Sequence, residues 1–62
     1  MSKSYVLGVF NNKIQQLKYD ILTLQNEGDL ETANIYMMLR DNLIECRDLV
    51  EEMYEDREGG EY

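Results

Sequence analysis

The chemistry this sequence can perform is concentrated in its carboxylates. Asp41, Glu45, Asp48, Glu52 and Glu55 follow one another at steps of four, three, four and three. On an α-helix that spacing lines side chains along one face, with neighbours about 5–6 Å apart. The row extends over about 21 Å of helix, and Glu51, Asp56 and Glu58 widen it. Such a row can imitate the phosphate repeat of a nucleic-acid strand and so attract a basic partner. Acids near a helix C-terminus oppose the macrodipole, and that local cost points to a use for the charge. The plain alternative is a solvated face that keeps a small protein soluble.

Other chemistry is excluded by residue type. The chain of 62 residues has no His, which removes the commonest general base and the commonest zinc ligand. The Glu-x-x-His pairs of di-iron bundles and a calcium loop of alternating oxygen ligands around a glycine are both missing from the sequence. Cys46 is the one cysteine; with no base to activate it, it reads as an inert apolar filler of a helix seam. Arg47, beside it, is expected on a different face. No catalytic, metal or cofactor residues are assigned, and the chain is expected to be non-enzymatic.

Direct nucleic-acid binding is also disfavoured. Phosphate affinity comes largely from Lys and Arg, whereas here six basic residues face thirteen acids, for a net charge of −7. Lys3, Lys13 and Lys18 outweigh Asp20 and Glu27 by one charge in residues 1–28, so residues 29–62 carry −8. All the net negative charge belongs to the second half.

The elements that must hold the acidic row are two helices. Leu7, Phe10, Ile14, Leu17, Ile21 and Leu24 alternate steps of three and four, a heptad seam over a helix at about 4–26. Ser2 or Ser4 can cap its start. Gly28 is the natural left-handed residue after its end, and Asp29 is placed to cap the second helix. A turn at 26–29 is short enough to fold the helices back on each other. The second helix is expected over about 30–57, with Tyr36, Leu39, Leu43, Cys46, Val50 and Met53 as its seam. Antiparallel folding then aligns Leu24 with Ala33, Ile21 with Tyr36, Leu17 with Leu39, Ile14 with Leu43, Phe10 with Cys46, and Leu7 with Val50. Residues 58–62 are expected to be a flexible acidic tail.

The apolar stripe is too wide for one hairpin. Ile35, Met38, Ile44 and Leu49 flank the second seam, and Val6 and Leu22 flank the first. Tyr19, Met37 and Tyr54 are expected off the seam and partly exposed. A chain this short, without a disulfide staple, often needs a second copy to bury enough surface. The expectation is an all-α fold: a single antiparallel two-helix hairpin, dimerising into a four-helix bundle.

Functionally, the sequence fits a small acidic inhibitor or regulator that binds a larger protein as a homodimer, with Asp41, Glu45, Asp48, Glu52 and Glu55 as the partner-binding face, which would attract a basic partner. A nucleic-acid mimic and a purely structural coiled-coil piece are the alternatives. The apolar run from Tyr5 to Phe10 only superficially resembles a signal peptide, no window has the length of a membrane span, and a lone cysteine suits a reducing compartment. The expected setting is the cytoplasm, with no membrane partner.

Overall fold

The computed structural model describes the backbone of residues 2–60 and the side chains of residues 2–54. Two helices make up the fold, α1 (Lys3–Asn26) and α2 (Leu30–Gly60), with no strand among the described residues. They form a hairpin, drawn out to 52 × 16 × 11 Å. Its radius of gyration is 15.0 Å, whereas a compact chain of this length would have about 11 Å. One layer of two helices has no second layer to cover its outer faces.

Local capping explains where the helices begin and turn. Ser2 is extended, and its Oγ accepts from the Tyr5 amide at 3.2 Å. This satisfies one of the donors that a helix start leaves open. At the far end of α1, Gly28 has φ +81°. Its amide donates to Gln25 O at 3.1 Å, and the Asp29 amide donates to Leu24 O at 2.9 Å. These are the paired bonds of a Schellman ending. Asp29 at once caps α2: its Oδ1 accepts from the Thr32 amide at 3.2 Å and its carbonyl from Ala33 at 3.1 Å. One residue thus closes α1 and opens α2, leaving the turn no slack.

The core is small and lies toward the turn. Ile14, Leu17, Ile21 and Ala33 are its buried members, and Leu7, Phe10 and Leu24 are half-buried on the same side of α1. The first seam therefore faces α2 along its whole length.

The second seam is rotated from its expected phase. Because α1 is the only other element among the described residues, half-burial on α2 marks the face turned toward it. That face runs through Ala33, Tyr36, Met37, Arg40, Leu43, Ile44, Arg47, Val50, Glu51 and Tyr54. Tyr36, Leu43 and Val50 lie where the heptad placed them, but Leu39, Cys46 and Met53 are exposed. Their places are taken by the next residues, Arg40, Arg47 and Tyr54. The turn is the physical reason. Ala33 (1% exposed) is set against α1 immediately after the cap, and steps of three and four from there lead to Arg40 and Arg47. An arginine tolerates this position because its stem covers apolar surface while its guanidinium reaches water.

This rotation corrects several expectations. Cys46 is not a seam filler, Arg47 is not on the far face, and Met37 and Tyr54 turn toward α1. Leu39 and Cys46, both exposed, are therefore not the inward partners expected for Leu17 and Phe10. The helix also continues to Gly60, so residues 58–60 are helical where a tail was expected. No proline interrupts it, and each residue added to an existing helix gains a hydrogen bond. Glu61 and Tyr62, the rest of that expected tail, lie outside the described residues.

Candidate functional site

With α1 occupying one side of α2, two other faces of α2 point outward. At roughly 100° per residue, the acidic row and an apolar stripe are each about a third of a turn from the α1-facing side. The three faces divide the helix almost evenly.

On the acidic face, Asp41, Glu45, Asp48 and Glu52 are all exposed. The side chain of Glu55 lies outside the described residues. The row is less negative than its composition implies. Arg40 Nη2 reaches Asp41 Oδ1 at 3.1 Å, with Nε donating to the same oxygen at 3.2 Å. One heptad on, Arg47 Nη2 and Nε hold Asp48 Oδ1 at 3.1 and 3.3 Å. Each inward-facing arginine thus bends its head out to the aspartate that follows it. Pairs this exposed add little stability, but they offset the charge at two of the four described positions. Glu45 and Glu52, one heptad apart, keep theirs.

A shallow, open depression of ≈ 470 Å³ lies beside this row, lined by Glu45, Asp48, Leu49, Glu51 and Glu52. Among the described residues no group of three or more His, Cys, Asp or Glu is arranged to hold a metal ion. Also among them, no buried side-chain nitrogen or oxygen lacks a hydrogen-bond partner. The polar groups along this row are solvated or locally paired.

The apolar face is the larger departure from a self-sufficient fold. Ile35, Met38, Leu39, Leu49 and Met53 are 54%, 67%, 47%, 59% and 64% exposed, with exposed Cys46 among them. They form two apolar clusters along one side of α2, Ile35 with Met38 and Leu39, and Leu49 with Met53, with exposed Asn42 and Cys46 between them. Monomeric proteins rarely leave apolar patches of more than a few hundred Å² open. Periodicity alone puts Ile35, Met38, Ile44 and Leu49 beside the hairpin seam and Leu39, Cys46 and Met53 within it; Ile44 instead turns toward α1, and Leu39, Cys46 and Met53 face out. The missing signal was the phase imposed by the turn. On α1, Tyr19 is exposed as expected, and Tyr5 and Leu22 are exposed as well.

No family model, curated protein or solved structure matches the chain. Among the described residues, no helix is long and apolar enough to cross a membrane.

Proposed function

We propose that the protein is a non-enzymatic interaction module, a homodimer of hairpins in a four-helix assembly that binds and regulates a larger, basic protein in the cytoplasm. The observation carrying this reading is the exposed apolar strip of α2, set about a third of a turn from an exposed acidic row. A second copy takes the strip, and the acidic row remains at the rim for the partner. This division gives each outward face of α2 one task. The acidic row alone also suits a nucleic-acid mimic, but the pairing of Asp41 and Asp48 with arginines makes it a poorer copy of an evenly charged phosphate strand.

Capture experiments with three tagged forms test the reading. The native chain is expected to retain a protein partner at low salt and release it as salt rises, since exposed charges are screened beyond about 10 Å at 0.1 M. Glu45→Lys/Asp48→Lys/Glu52→Lys is expected to lose that partner while remaining a helical dimer. Leu39→Glu/Leu49→Glu is expected to be monomeric. A partner held equally well by the charge-reversed form would reject the acidic face as its binding surface.

A further inference from the structure

We draw no further inference here: the strongest candidate, the open groove of ≈ 310 Å³ between α1 and α2 lined by Lys18, Ile21, Leu22, Gln25, Met37 and Arg40, carries nothing because Arg40 is already paired with Asp41, which leaves one exposed lysine beside an apolar floor and nothing in the structure that shows what covers it.

Discussion

Arg47 Nη1 on α2 donates to Asn11 Oδ1 on α1 at 3.0 Å, while the same guanidinium holds Asp48 on its own helix. This bond joins the helices far from the turn and accompanies the rotation set there: with Arg47 turned inward, Cys46 faces out. Arg47→Ala is expected to lower hairpin stability by about 1 kcal/mol, through lost stem packing and a hydrogen bond to a charged group. A double-mutant cycle with Asn11→Ala in urea unfolding isolates the pair, with an expected coupling of about 0.5–1 kcal/mol. Additive losses would mean that the bond does not form in solution.

The turn is expected to be sensitive at Gly28. Its φ of +81° is costly for any residue with a Cβ, although a Cβ built there meets nothing within 4 Å. Gly28→Ala should therefore cost about 1–2 kcal/mol through conformation alone. Gly28→Asn should cost less, because Asn visits the left-handed region more readily. Thermal melts of the two variants check the ranking.

Asp29 serves both helices, through its amide on Leu24 and its carboxylate on Thr32. Asp29→Ala keeps the first bond and loses the second, so the expected loss is that of an ordinary N-cap, about 1 kcal/mol. Asp29→Asn should retain most of it. Chemical denaturation at fixed protein concentration measures both, since an assembling chain is stabilised by its own concentration.

How far the sequence discloses the structure is seen by comparing the two seams. On α1, Leu7 through Leu24 formed one narrow apolar line with polar residues elsewhere, and that line faces α2. On α2, apolar residues cover more than one face, so periodicity alone admitted two phases one residue apart. Leu39, Cys46 and Met53 made the greasier choice. The Gly28–Asp29 turn and the small Ala33 selected the other, bringing Arg40 and Arg47 inward. The acidic row was legible because it lies between these faces in either phase. Its partial neutralisation by Arg40 and Arg47 was not, since that depends on where the arginine stems are packed.

The buried seam of α1 and the outer apolar face of α2 are expected to respond differently to truncation. Ile21→Ala removes a buried side chain and should cost about 2–4 kcal/mol, lowering helicity by circular dichroism. Leu39→Ala should leave the helicity of a single hairpin nearly unchanged, since Leu39 is 47% exposed, and weaken self-association instead. Equal loss of helicity in both would place Leu39 in the hairpin core after all.

Sedimentation equilibrium across a concentration series, on the native chain and on Leu39→Glu/Leu49→Glu, is the most direct test of the apolar strip as a contact surface. The native chain should have twice the mass of a single chain at micromolar concentration, and the variant the mass of one chain with its helices intact. A native chain monomeric throughout the series, or a variant that still sediments as a dimer, would contradict that role for the strip.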